Sequence, residues 1–290
     1  MNRRLLAATG ISWYFIDTGY RGGELLTPEQ MAEVSGQSAR EVVRLEAVAE
    51  QLAGTDVSAD SFAVAYASSL AKAAQGAVGL KSIMAYRFGL DFDPERPARR
   101  DVTRAAGDWL RRCAEDGQAR LDDPVLLRHV LWAGVDLGLP LQFHVGFGDS
   151  DIVLHRCDPA RMTGFIQAVQ PLGTQVMLLH CYPYHRQAGY LAHVYPHVWF
   201  DTGSAVSHGG LGSLQLIRES LEVAPFDKVL FSTDAFGLAE LYVVATALFR
   251  RALGRFLDAG IADDDWTADD AARIAAAIGA GNAARAYRLA

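Results

Sequence analysis

Seven short apolar runs, each parted from the next by a longer segment, constrain this chain more than any other feature. They are "SWYFID" (12–17), "EVVRLE" (41–46), "AVGLKSIMAYR" (77–87), "LPLQFHVG" (139–146), "TQVMLLHCY" (174–182), "HVWFDTG" (197–203) and "KVLFSTD" (228–234). Val, Leu, Ile and Phe recur in them with little alternation, as in parallel strands covered on both faces. Helical segments lie between, among them "DPVLLRHVLWAGVDLG" (123–138), "DPARMTGFIQAVQ" (158–170), "HRQAGYLAHVYP" (185–196) and "GLAELYVVATALFRRALGRFL" (237–257). The first two open on Asp-Pro, a capping residue followed by the one residue pre-set for the first helical position. The start reads as helix then strand, and the tail as two short helices broken near Gly281. "FDPERPARR" reads as a loop inserted after a strand. Repeated strand–helix units predict an α/β chain, either a (β/α)8 barrel or a doubly wound sheet. Seven strands are one short of a barrel.

Several runs end on a residue that packs poorly but does chemistry. Lys81 stands in "GLKSIMAYR", His144 in "LQFHVG", His180 in "VMLLHCY" and Asp234 in "LFSTDA". In a barrel the C-terminal strand ends meet on one face, so these four residues would converge there. Two imidazoles and a carboxylate are the donors catalytic zinc takes, with one position left for water. Zinc lowers the pKa of that water to about 7, and a carboxylate such as Asp234 can then accept its proton. Singly, each residue has a plainer reading: Asp234 as a helix cap, Lys81 as a snorkelling side chain, each histidine as a packing residue. Their recurrence on successive units favours a shared site.

The bulk properties narrow the partners. With 290 residues, 50% of them hydrophobic, the chain can bury the core of one barrel domain spanning 1–290. A net charge of −7 argues against nucleic acid or an anionic membrane as partner. The apolar start is too short to span a bilayer, since Asp17 and Arg21 close it. Cys113, Cys157 and Cys181 are three and widely spaced, so no disulfide framework is indicated and a reducing cytoplasm is expected.

Longer motifs carry a resemblance. "KSIMAYRFGLDF", "PLQFHVGFGD", "VMLLHCYPYHRQAGYLAHVYPHVWFD", "KVLFSTDAFGLAELY" and the closing "GNAARAYRL" resemble the amidohydrolase superfamily. The branch is amidohydrolase-2, related to FluG-type and nodulin/glutamine-synthetase-like proteins. The resemblance implies a metal-dependent TIM-barrel hydrolase of C–N bonds, often in amides that carry a carboxylate, with a divalent metal, zinc first. It further implies that Lys81, His144 and His180 match the carboxylated lysine and two histidines that hold one metal in binuclear members. In mononuclear members His144 and Asp234 complete a site that begins with a His-x-His pair on the first strand. No His-x-His occurs in this chain, and residues 1–10 contain no histidine. The expectation is a barrel whose first strand is missing, through a downstream start or true loss, with weakened metal binding.

Around this set, Asp234 and His180 are the expected catalytic residues, and Arg44, Glu46, Tyr86, Arg87, Tyr182, His185 and Arg186 the expected substrate contacts. An arginine at a strand end can hold a carboxylate by paired hydrogen bonds, and its competing role is an ion pair on the barrel rim. His208 is expected to face the mouth, and His193 and His197 to be structural. The expected partner is a small molecule, with a homo-oligomer left open. Two further readings stand beside hydrolysis: a lyase or decarboxylase of the same superfamily, and an impaired barrel kept for binding.

Overall fold

Each apolar run becomes a strand only where a neighbouring strand can pair with it, so most strands are shorter than their hydrophobic stretch. The computed structural model describes residues 1–289. Its strands are β1 (Trp13–Asp17), β2 (Ser38–Arg44), β3 (Gly79–Ser82), β4 (Leu141–Val145), β5 (Val176–His180), β6 (Val198–Asp201) and β7 (Val229–Leu230). The helices, in chain order, begin with α1 (Asn2–Thr9), α2 (Pro28–Ser35), α3 (Leu45–Leu52), α4 (Phe62–Ala73) and α5 (Met84–Arg87). They continue with α6 (Arg99–Asp116), α7 (Pro124–Asp136), α8 (Thr163–Val169), α9 (His185–Val194) and α10 (Gly203–Gly209). The last are α11 (Ser213–Ser220), α12 (Ala239–Ala262), α13 (Ala268–Ala276) and α14 (Asn282–Ala286).

Every strand pairs in parallel with its neighbour in sequence, giving the order β1-β2-β3-β4-β5-β6-β7. That order has no reversal point, so a doubly wound sheet is excluded. Side chains from β1 to β7 also meet in one inner cluster, where Phe15, Val42, Met177, Leu179, Trp199 and Leu230 pack around Tyr287. A flat sheet could not bring Phe15 and Leu230 together. The sheet is therefore curled, a TIM-type barrel lacking one strand.

Two boundaries differ from the sequence reading in ways that matter later. The run 41–46 leaves the strand after Arg44, and Leu45 and Glu46 begin α3. The run 77–87 is strand only to Ser82, then turns into α5. Glu46 explains both: fully buried, its Oε1 accepts hydrogen bonds from Ser82 Oγ at 2.6 Å and Ile83 N at 3.0 Å. That carboxylate fixes where β3 stops. The 158–170 segment is split into a 3-10 turn (Pro159–Met162) and α8, with Thr163 Oγ1 bonded back to Ala160 O at 2.6 Å. α7 begins as its Asp-Pro start predicts, the Asp123 carboxylate accepting from Val125 N and Leu126 N.

The two layers close differently. In the helix layer α1 packs directly on α12. In the strand layer β1 and β7 are the two edges, leaving a slot between them under that helix pair. Among the described residues no helix is long and apolar enough to cross a membrane.

Candidate active site

Parallel strands deliver their C-terminal ends to one face, and the chain places a chemically active residue at nearly every one. Asp17, Arg44, Lys81, His144, His180, Asp201 and Asp234 all line one cavity of about 1890 Å³, together with Tyr86, Arg87 and His208. The cavity runs from the mouth into the slot between β1 and β7, where Tyr14, Phe249 and Leu253 also line it. Thus Lys81, His144, His180 and Asp234 share a single space.

His144 and His180 form its centre, with ring centroids 4.9 Å apart. His144 points inward by strand alternation, in step with the inward Gln142, which bonds Tyr287 at 2.8 Å. His180 does not. Met177 and Leu179 face inward and Leu178 outward, so strict alternation would turn His180 outward too. The backbone reverses instead: His180 and Cys181 have φ of 69° and 59°. Cys181 N donates to Leu179 O at 2.8 Å, closing a tight three-residue turn around His180. Cys181 then enters the outer core and His180 the cavity. Asp234 also has a positive φ, 50°. Such conformations cost about 1–3 kcal/mol per non-glycine residue and cluster where function over-determines the backbone.

The electrostatics follow from burial. Burial, then the His180 and Lys81 charges, pushes His144 well below the ordinary imidazole range. Burial followed by Lys81 brings His180 down to about 3. Both rings are therefore neutral at neutral pH. His144 Nε2 and His180 Nδ1 are buried without a hydrogen-bond partner. Asp234 Oδ2 stands 3.5 Å from His180 Nδ1, near enough for attraction yet outside hydrogen-bond geometry.

Beside the histidines lies a charged cluster. Asp17 Oδ2 is 2.5 Å from Arg44 and 3.1 Å from Lys81 Nζ, with all three side chains largely buried. Burial alone would raise the Asp17 carboxyl. The Lys81 and Arg44 charges, with hydrogen bonds from Arg44 and Gly19, outweigh it and hold the group at about 2. Lys81 thus sits beside a carboxylate as a cation, and a carboxylated lysine there would meet Asp17 with like charge. Across the mouth, the Tyr86 ring lies 4.4 Å from that of His144. Burial pushes its hydroxyl up to about 12, so it remains a donor. Arg87 pairs with Glu50 at 2.9 Å and keeps a buried, unpartnered Nε.

Other expected contacts lie outside the cavity. Glu46 is the buried tie described above. His185 bonds Glu219 at 2.7 Å and Arg186 pairs with Glu219 and Glu222, so both stitch α9 to α11. Tyr182 stacks on His185 and is half exposed. Two lining residues went unread in the sequence, Asp17 and Asp201. Both are carboxylates ending an apolar run, the signal that singled out Asp234. Burial pushes the Asp201 carboxyl up to about 6, against the hydrogen bonds from Gly203 and His180.

The loop after His144 is held by backbone. Gly146 has φ +79°, and a Cβ there would come within 2.1 Å of Tyr182 O. Gly146→Ala is therefore expected to destabilise the fold by about 3 kcal/mol, through strain and a clash that backbone cannot relieve. Urea unfolding of the variant beside the parent measures it, and a loss under about 1 kcal/mol would contradict the account.

Two neutral imidazoles with uncommitted nitrogens, near a carboxylate, are donors a divalent metal takes, so the set fits one in chemistry. Its gathering is incomplete. Among the described residues, no three His, Cys, Asp or Glu side chains stand close enough together to hold an ion.

Known proteins resemble this chain in sequence or in structure. FluG of Emericella nidulans is 35% identical over 226 residues, which cover 73% of this chain and 26% of that protein. The chain thus spans about a quarter of the length of that relative. The crystal structure of a proposed metal-dependent hydrolase from Lactobacillus casei is 31% identical, with a TM-score of 0.87 over 99% of this chain and 76% of that one. Uronate isomerase of Thermotoga maritima, 14% identical, shares the fold at a TM-score of 0.67 over 98% and 69% of the two chains. The family model Amidohydro_2, amidohydrolase, matches residues 19–289. With nearly its whole length matched, the chain belongs to the amidohydrolase family.

Proposed function

We propose that this chain is a metal-dependent hydrolase of amide or other C–N bonds in small substrates bearing a carboxylate. The observation that carries the reading is the neutral His144–His180 pair with its uncommitted nitrogens, His180 Nδ1 being faced by Asp234. These three residues would hold a divalent ion, zinc by donor type. When bound, that ion supplies Lewis acidity toward water and the scissile carbonyl. Asp234, partly open at the mouth, takes a proton from water and returns it to the departing amine. Arg87, on the cavity wall, supplies positive charge toward a substrate carboxylate, and the Arg44–Lys81 pair exceeds Asp17 by one positive charge. The Tyr86 hydroxyl donates from above His144, and its ring shields that histidine from water.

A second reading, a barrel kept for binding, draws on one observation: among the described residues no three donors are gathered. Zinc titration with a panel of N-acyl amino acids separates the two. The hydrolase reading expects substoichiometric zinc after dialysis and release of amine that rises as zinc is restored. Saturable binding of an N-acyl amino acid with no amine released at any zinc concentration would leave the binding barrel.

A further inference from the structure

We propose that Asp201 is a positioning residue, whose carboxylate clamps the reversed end of β5 and so turns His180 from the outer face into the cavity.

The ladder between β5 and β6 runs through Leu178↔Phe200 and ends there. Beyond it a continuing strand would present the next backbone carbonyl of β6 to β5. Instead the His180 N–H donates to Asp201 Oδ1 at 3.0 Å. The same oxygen accepts from Gly203 N at 2.9 Å, so one carboxylate gathers the end of β5, the end of β6 and the start of α10. Ser232, past the end of β7, closes the group from the other side: a Cβ on Gly203 would lie 2.0 Å from its Oγ. Asp201 is 2% exposed, so in the intact protein its carboxylate is held against these backbone donors.

The clamp has something to hold. Two consecutive non-glycine residues at positive φ do not persist without outside support. If the strand relaxed to ordinary extended backbone, His180 would swing to the face occupied by Leu178, and Cys181 would take its place inside. The bond from Asp201 acts on backbone and touches neither imidazole nitrogen, so it governs where the ring points and leaves Nδ1 open toward Asp234. Loss of the acceptor would free the kink while leaving His144, His180 and Asp234 in the sequence. This inference rests on the reading of His180 as a working residue. The orientation it claims can be measured whatever His180 does.

The test compares the full chain with Asp201→Ala and Asp201→Asn. Amide exchange at His180 and the long-range proton–nitrogen spectrum of its ring report the orientation, and zinc titration reports the consequence. In Asp201→Ala the His180 amide should lose protection and its ring resonances should shift. Zinc affinity should fall about 10–100-fold, the size of effect that supporting partners of a ligating histidine have. Asp201→Asn keeps a carbonyl acceptor and should restore the exchange and ring signals, with affinity within about threefold of the parent. A protected His180 amide and parent-like ring signals in Asp201→Ala would overturn the proposal. If Asp201→Ala does not fold, the Asn variant decides: parent-like His180 signals uphold an acceptor clamp, and shifted ones reject it. Should no form bind zinc, the metal reading falls, while the amide and ring signals still judge the clamp.

Discussion

His144→Leu is expected to yield a protein that is more stable than the parent and nearly inactive. The imidazole is buried with Nε2 unpartnered, a state that costs about 1–3 kcal/mol when the rest of the core is dry. Leucine has a similar volume, suits a strand packed on both sides, and brings no polar atom. The gain is the relief of that unpartnered nitrogen, so a net stabilisation of about 1 kcal/mol is expected. Turnover of an N-acyl amino acid should fall by about 10³-fold, as for removal of a group that works at the reacting centre. Urea midpoints and amine release measure the two effects on one preparation. Destabilisation above about 2 kcal/mol with turnover unchanged would make His144 a packing residue. Opposed changes in stability and activity are the mark of a site kept at the expense of the fold.

Asp17→Asn should be the most damaging change in the charged cluster. It leaves the Arg44 and Lys81 cations largely buried and without their carboxylate. Removing one partner of such a group costs about 3–5 kcal/mol. The cluster also sets an acid limb. Asp17 stands at about 2 in the folded chain against an ordinary 3.8. A lowered folded-state value stabilises whenever the group is ionised, so the contribution is complete above about pH 4. It is lost as pH falls through 3.8 toward 2, and amounts to about 2 kcal/mol. Urea unfolding between pH 2 and 7 should show the parent losing that stability at the acid end. Asp17→Asn should show a flatter profile, and adding Lys81→Met should recover part of the loss. An acid limb unchanged in Asp17→Asn would place the titrating group elsewhere.

The order of strands and the identity of the convergent residues were legible because parallel strands leave a strong local signal, an apolar run closed by a polar residue. Lys81, His144, His180 and Asp234 could be picked out on that basis alone. What could not be read is which way a residue faces once the strand stops being regular. His180 lies on the inner face only because the chain turns left-handed at two residues that are not glycine, and no residue type there announces it. Glu46 reads as a substrate contact because its run has the pattern of a continuing strand, whereas the early turn into α3 buries it against Ser82 and Ile83. Asp17 pairs with residues 27 and 64 positions away. Such a contact depends on strand neighbours, and one chain's pattern does not encode it. His185 and Arg186 follow His180 closely in sequence, yet the start of α9 turns both toward α11.

The two layers of the barrel are closed by different forces, and this has a thermal consequence. Between neighbouring strands the ring is joined by directional hydrogen bonds. At the seam, closure falls to side chains: Leu6 of α1, Tyr14 and Ile16 of β1, and Ala239 and Tyr242 of α12, with the Tyr14 and Tyr242 rings edge to face at 5.7 Å. Apolar contact of this kind draws its strength from water and weakens on cooling. The seam should therefore loosen first in the cold, a zip that gives at its one unstitched length while the rest of the ring stays fastened.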